Sequence, residues 1–189
     1  MDKYLEKSVI ESCFVKEKSL KKHKKNIIKI VDLIYNSLKK GKKILLMGNG
    51  GSAADAQHIA AEFVVRLKEN RKAYPAIALT TDTSILTSCG NDFGFDLIFK
   101  RQIEAYASKG DIVIAISTSG NSKNVLYGID EAKKRGLKVI GFTGKGGGKM
   151  KQKCHILIDI ESENTMRIQE SHITFLHIIC DMVEMKLKG

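Results

Sequence analysis

The stretch Ile44–Phe63 reads ILLMGNGGSAADAQHIAAEF. Ile44–Met47 is an unbroken apolar run, the pattern of a strand buried on both faces. Gly48-Asn49-Gly50-Gly51-Ser52 supplies turn residues, and apolar residues then return at helical spacing over Ala53–Lys68. A strand feeding a helix through a glycine turn is half of a βαβ unit. The same alternation continues along the chain. Further apolar runs occur at Ala76–Leu79, Ile112–Ile116, Val139–Phe142 and Ile156–Ile160, with helical periodicity over Phe95–Ala107 and Lys123–Arg135. The first forty residues are helical in pattern, with a broad apolar face from Ile27 to Leu38 that ends in Lys39-Lys40-Gly41. The expected fold class is therefore α/β, a parallel sheet covered by helices on both faces and preceded by N-terminal helices. The last element, Met166–Lys188, is a long helix with a wide apolar arc through Ile168, Phe175, Leu176, Ile179 and Val183. Such a helix is either packed deep or buried against another subunit, and a homo-oligomer is expected.

At 189 residues, 43% hydrophobic and 28% charged, the chain is sized for one domain, 1–189, with its own core. Residues 1–40 are expected to pack on that core as a helical segment and to join oligomer contacts. No apolar run approaches the roughly 18 residues of a membrane span. The N-terminal MDKYLEKSVIES lacks the apolar centre of a signal peptide, so a cytoplasmic location is expected. Cys13, Cys89, Cys154 and Cys180 are scattered without a CxxC pair, which suggests neither a disulfide framework nor a thiolate zinc site. The net charge of +11 invites a nucleic-acid reading. Much of that excess lies in KEKSLKKHKKNIIK (Lys16–Lys29), the polar face of a helix, and no nucleic-acid fold motif accompanies it. It reads as a solvated lysine-rich face, which adds some electrostatic attraction for anionic substrates.

In open α/β sheets, ligands gather outside the carboxyl ends of the strands, so the loops after each apolar run are the places to search. Gly48–Ser52 allows close backbone approach, and the free N–H groups of the following helix favour an anion. A tight turn capped by Ser52 accounts for the same residues. Ser117-Thr118-Ser119-Gly120-Asn121-Ser122 places four hydroxyls in six residues at a strand end. One hydroxyl satisfies a helix cap; four suit the oxygens of a phosphate. Asn91 and Asp92, in GNDFG, suit sugar hydroxyls or an ordinary turn equally. His58 and Glu62 are four apart on a helix and share a face, as a surface pair or as a base beside a metal ligand. Gln169 and His177 lie on the apolar C-terminal helix, where polar groups need partners if buried. His23 and His172 have no comparable context.

Taken together, GNGGSAADAQHIAAEF, GNDFGF, ISTSGNS, FTGKGGGKM and RIQESH followed by His177 resemble the phosphoheptose isomerases of bacteria, in this order and at these separations. The resemblance runs through nearly the whole chain. GNGGS and STSGNS indicate the wider sugar isomerase (SIS) class; His58/Glu62, Asn91/Asp92 and Gln169…His177 narrow it. The resemblance implies a three-layer α/β/α sandwich around five parallel strands, assembled as a homotetramer with active sites at subunit boundaries. It implies isomerisation of sedoheptulose 7-phosphate to D-glycero-D-manno-heptose 7-phosphate, the entry to heptose for surface polysaccharide. Ser117, Thr118, Ser119 and Ser122 would hold the phosphate, and Asn49, Gly50, Gly51, Ser52, Glu62, Asn91, Asp92 and Gln169 the rest of the substrate. Glu62 and His177 would be the acid/base pair, and His58, Glu62, Gln169 and His177 the ligands of one zinc per subunit.

Moving a carbonyl between C1 and C2 needs a base for a carbon-bound proton and a partner for the enediol oxygens, roles that suit a carboxylate and an imidazole. One difficulty arises with the metal. Gln169 and His177 are about 12 Å apart along a continuous helix, so either Gln169 precedes the helix or the ligands come from different subunits. The competing expectation is a non-catalytic tetrameric SIS-domain partner of the replication initiator; a phosphosugar-sensing regulator lacks any attached DNA-binding module.

Overall fold

The computed structural model describes residues 1–68 and 70–188. Helix α1 (Asp2–Lys39) leads into β1 (Ile44–Met47), α2 (Gly51–Val64), β2 (Ala76–Ala78) and α3 (Thr83–Asp92). A 3₁₀ turn at Phe95–Leu97 runs into α4 (Ile98–Tyr106), followed by β3 (Ile112–Ser117), α5 (Lys123–Lys134), β4 (Lys138–Thr143), a second 3₁₀ turn at Gly148–Gln152, β5 (Ile156–Asp159) and α6 (Thr165–Lys188). The five strands form one sheet, all parallel, in the order β2-β1-β3-β4-β5. The N-terminal segment is a single helix of 38 residues where helices in the plural were expected. Its buried face runs on from Val15 through the polar Ser19 and His23 to Leu38, and Gly41, with a left-handed φ of 69°, ends it.

Side chains alternate across the sheet, and each face builds its own core. Ile44, Leu46, Ile114, Ile140 and Ile158 point to one side, where they meet α1, α2 and α6 through Ile30, Ile34, Ile59, Phe175 and Ile179. Leu45, Met47, Val113 and Val139 point to the other, against Phe99, Ile103, Val125 and Ile129 of α4 and α5. The expected three-layer α/β/α architecture is thus present. The broad apolar arc of α6 is explained within one chain: its buried residues pack between α1, α2 and the sheet. Helix α3 was unforeseen. Asp82 caps it through a bond from the Ile85 amide, and only Cys89 of its residues is buried, so its apolar period is too sparse to read. No helix among the described residues is long and apolar enough to cross a membrane.

Helices α2 and α6 lie side by side and run in the same direction. Their far ends are tied by Arg71, whose Nε is 2.8 Å from Glu184 Oε2 while its Nη atoms donate to the carbonyls of Glu62 and Phe63. The two charged side chains are only 9% and 5% exposed. Breaking a buried pair costs about 3–5 kcal/mol, because a desolvated charge remains. Arg71→Ala is therefore expected to lower unfolding free energy by about that amount in urea denaturation.

Candidate active site

The strand order reverses direction between β1 and β3, and the loops leaving these two strands lie next to each other at the carboxyl end of the sheet. In the first loop, Gly50 is the N-cap of α2, with φ 54°. Ser52, expected as a cap, lies buried inside the first turn, and no side chain caps this helix. A Cβ at Gly48 would stand 2.6 Å from the Ser52 carbonyl oxygen, so only glycine allows so tight a turn.

The second loop, Ser117–Ser122, uses its hydroxyls for something other than capping. Ser122 occupies the N-cap position of α5 but makes no cap bond; its Oγ lies 2.9 Å from Ser117 Oγ, and Ser117 Oγ is 3.5 Å from Ser119 Oγ. Three hydroxyls thus face one another at the start of a helix, where backbone N–H groups favour an anion. Thr118 and Ser119 border a cavity of about 250 Å³ that Lys145 also lines.

The two loops are locked together by a reciprocal amide pair: Asn49 Nδ2 donates to Asn124 Oδ1 at 2.9 Å, and Asn124 Nδ2 to Asn49 Oδ1 at 2.8 Å. Asn49 was expected to hold substrate; its side-chain amide is engaged with Asn124, and its carbonyl accepts from Ser52 N–H at 2.9 Å. Asn124 was missed by sequence reasoning. A buried asparagine in the first turn of an amphipathic helix was the available signal, since asparagine is a poor helix former. The glycine run Gly146–Gly148, quoted above within FTGKGGGKM but given no role there, has positive φ at all three residues. Gly144 N–H donates to the Thr118 carbonyl at 2.8 Å, Met150 N–H to Gly120, and Lys149 N–H to Asn121 Oδ1. A Cβ on Gly148 would come within 2.5 Å of Ser119 O. The loop after β4 therefore supports the hydroxyl loop from behind.

A third group forms between α2 and α6. His58 Nε2 lies 3.0 Å from Glu62 Oε1 and 3.1 Å from His177 Nε2. The two rings meet edge to face with centroids 4.8 Å apart. One ligand atom from each of the three residues lies within 4.8 Å of the others. A neutral imidazole nitrogen carries at most one hydrogen, so His58 Nε2 cannot donate to both neighbours. Two imidazole nitrogens and a carboxylate oxygen pointing inward suit a divalent cation such as zinc, or a shared proton. One turn before His58, burial raises the carboxyl of Asp55 to about 6, against the opposing charge of His58, and its Oδ2 is buried without a protein partner among the described residues.

Gln169 lies inside α6, which removes the possibility that it precedes that helix. Its amide packs on the glycine loop, where a Cβ at Gly51 would stand 2.7 Å from Gln169 Nε2. Gln169 therefore sits at the mouth of α2, two turns from His177 along α6. Asn91 and Asp92 bond each other at 2.8 Å at the end of α3. Asp92 lines a cavity of about 270 Å³ between α3 and α4, apart from the two loops.

The SIS domain family matches residues 12–144 of the chain. A phosphoheptose isomerase of Clostridium acetobutylicum is 50% identical over 191 aligned residues, covering 100% of this chain and 97% of that protein. The chain belongs to the phosphoheptose isomerase family. Another member, from Campylobacter concisus, is 57% identical over 157 residues, 83% of each chain. The solved phosphoheptose isomerase of Neisseria gonorrhoeae superposes with a TM-score of 0.92 at 39% identity, over 97% of this chain and 98% of that one.

Gly120 has φ 65°, and a Cβ there would collide with the carbonyl oxygen of Gly147. Forcing an alanine into this left-handed conformation costs about 1–2 kcal/mol before the collision is counted. Gly120→Ala is expected to weaken inorganic phosphate at least about tenfold, as measured by calorimetric titration.

Proposed function

We propose that this protein isomerises sedoheptulose 7-phosphate to D-glycero-D-manno-heptose 7-phosphate, in the cytoplasm, for surface-polysaccharide heptose. The convergence of Glu62, His177 and His58 from two helices carries this reading, since a binding scaffold or a partner of the replication initiator has no need of such a set. Ser117, Thr118, Ser119 and Ser122 hold the phosphate with the amides at the start of α5. The main chain of Asn49–Gly51, with Ser52, Gln169, Asn91 and Asp92, receives the polyol.

In the reaction, Glu62 removes a proton from C1 of the ketose, and the C1–C2 enediol forms as the C2 oxygen is protonated. Glu62 then returns the proton to C2 while the C1 oxygen loses its own, leaving an aldehyde at C1. His177 handles the oxygen-bound protons. A general base of this kind contributes ~10²–10⁴ in rate. Glu62→Gln is accordingly expected to lower kcat by at least ~10²-fold while the protein stays folded and its phosphate affinity stays close to wild type. A variant with near-normal kcat takes the base role away from Glu62.

The three-residue set fits one zinc per subunit, held by His58, Glu62 and His177, with Gln169 of the same chain engaged at Gly51. When bound, the ion would polarise the substrate carbonyl as a Lewis acid. Chelator-treated protein is expected to lose both activity and thermal stability, and one equivalent of zinc per subunit to restore both, because the ion joins α2 to α6. Unchanged melting and activity after verified metal removal would count against the metal.

A homotetramer completes the site in this reading. Gly51 and Glu62 are roughly 16 Å apart along α2, and the Asn49–Asn124 pair ties the Gly51 end to the head of α5 and its hydroxyl loop, so the phosphate loop and the acid/base pair of one chain stand well apart. A second copy shortens that gap. The exposed apolar residues Tyr4, Leu5, Val9, Ile10 and Phe14 on the first half of α1 supply a surface for such self-association.

A further inference from the structure

The hydroxyl loop offers neutral donors, whereas a phosphate monoester carries about −1.5 to −2 charge at pH 7. Charge-assisted hydrogen bonds are roughly twice as strong as neutral ones, so a cation within reach of this loop matters for affinity. Lys145 is so placed. It is the cation in the lining of the cavity of about 250 Å³ that Thr118 and Ser119 border. Ser162, Glu163 and Thr165, from the segment between β5 and the first turn of α6, complete the polar lining. Among the described residues, the hydroxyls of Thr118 and Thr165 have no hydrogen-bond partner.

The main chain of Lys145 is fixed, while its side chain is held loosely. Its N–H donates to the Ser162 carbonyl at 3.1 Å, and Gly144 before it donates to the Thr118 carbonyl at 2.8 Å. A Cβ at Gly144 would stand 2.7 Å from that Thr118 oxygen, so the two loops touch at this point. The Lys145 side chain is 56% exposed, and its Nζ lies 3.8 Å from Glu163 Oε1, on a side chain 85% exposed. An exposed pair of that length adds little stability. Lys18 and Lys22 differ, because their partners Asp159 and Glu161 are mostly buried. Lys145 thus combines a flexible stem, a charge barely spent and a backbone anchored beside the hydroxyl loop.

We propose that Lys145 is a further substrate-binding residue, its ammonium leaving Glu163 to pair with the phosphate that the hydroxyl loop holds. Cation and loop belong to one chain, so the contact is the same whichever copy supplies the acid/base pair. The proposal rests on the isomerase reading for the identity of the ester, and on the cavity for the anion contact itself. Glu163 is then a built-in competitor for the ammonium, and the two residues have opposite effects on anion affinity.

The test titrates inorganic phosphate calorimetrically into wild type, Lys145→Met, Glu163→Gln and Lys149→Met at one ionic strength. Lys149 follows on the same connection and its N–H, which bonds Asn121, survives the substitution; its variant removes an equal charge from outside the cavity lining. The expected phosphate dissociation constant is about tenfold higher in Lys145→Met, lower than wild type in Glu163→Gln, and within about twofold of wild type in Lys149→Met. The KM for sedoheptulose 7-phosphate should rise in Lys145→Met by a similar factor. If Lys145→Met does not fold, Lys145→Gln replaces it with the same expectation. Phosphate affinity in the Lys145 variant within about twofold of wild type overturns the proposal. Equal weakening in the Lys145 and Lys149 variants does so too, since the effect is then one of net charge, as does a Glu163→Gln protein that binds phosphate no more tightly than wild type. A higher KM with unchanged phosphate affinity also overturns it, because it puts Lys145 on the polyol. A wild type that binds phosphate through Lys145 and turns over no sedoheptulose 7-phosphate removes the isomerase reading and leaves this contact standing.

Discussion

The parallel packing of α2 against α6 is the constraint on which the rest of the structure depends. Side by side and in the same direction, the two helices pair residues at three levels: Gly51 with Gln169, His58 with His177, and the residues just past α2 with Glu184. Such close approach is allowed at the first level because Gly51 has no side chain. It is secured at the last by a buried ion pair whose guanidinium also satisfies two carbonyls at the end of α2. The middle level inherits its geometry from both ends. Three titratable groups that repel or compete for protons in isolation are held there in contact, an arrangement that polar side chains do not adopt without support from the surrounding packing.

The hydroxyl-loop end of the candidate site is organised by different means. Here the work is done by backbone rather than charge: glycines at positive φ, a strand-end loop of hydroxyls and a second loop pressed against it from behind. The Asn49–Asn124 amide pair joins this region to the glycine loop at the head of α2. Neutral donors fixed by main-chain geometry give directional recognition of a phosphate and need little rearrangement on binding. The lysine-rich surface of α1 is separate from this. Several of its lysines are spent on carboxylates, Lys18 with Glu161 and Lys22 with Asp159 and Glu161, fastening α1 to the segment around the end of β5.

Read from the amino-acid order alone, the strands were legible almost to the residue, because a parallel strand buried on both faces leaves an uninterrupted apolar run. Ile44–Met47 coincides with its run, three others differ by one residue at one end, and β4 extends its run by one residue at each end. Helices with one apolar face, such as α5, were legible for the same reason. α3 was not, since a helix with a single buried residue leaves no period to detect. Among site residues, the hydroxyl loop and the His58–Glu62 pair were legible because each is local: neighbours in sequence are neighbours in space on a turn or on one helix face.

What the sequence determined by itself was therefore the α/β class, the family motifs and the chemistry available at each strand end. Tertiary structure decided the partnerships. That His177 meets His58 while Gln169 stays at Gly51, and that His172 reaches the sheet at Thr143, depend on how deep α6 lies beside α2, and that Asn49 spends its amide on Asn124 depends on how the loop after β1 meets the head of α5. Those contacts span 75 to 119 residues of chain in two cases and 29 in another. Local periodicity sets which face of a helix is buried, whereas the depth at which two helices pack comes from side-chain size and hydrogen bonding across the whole core.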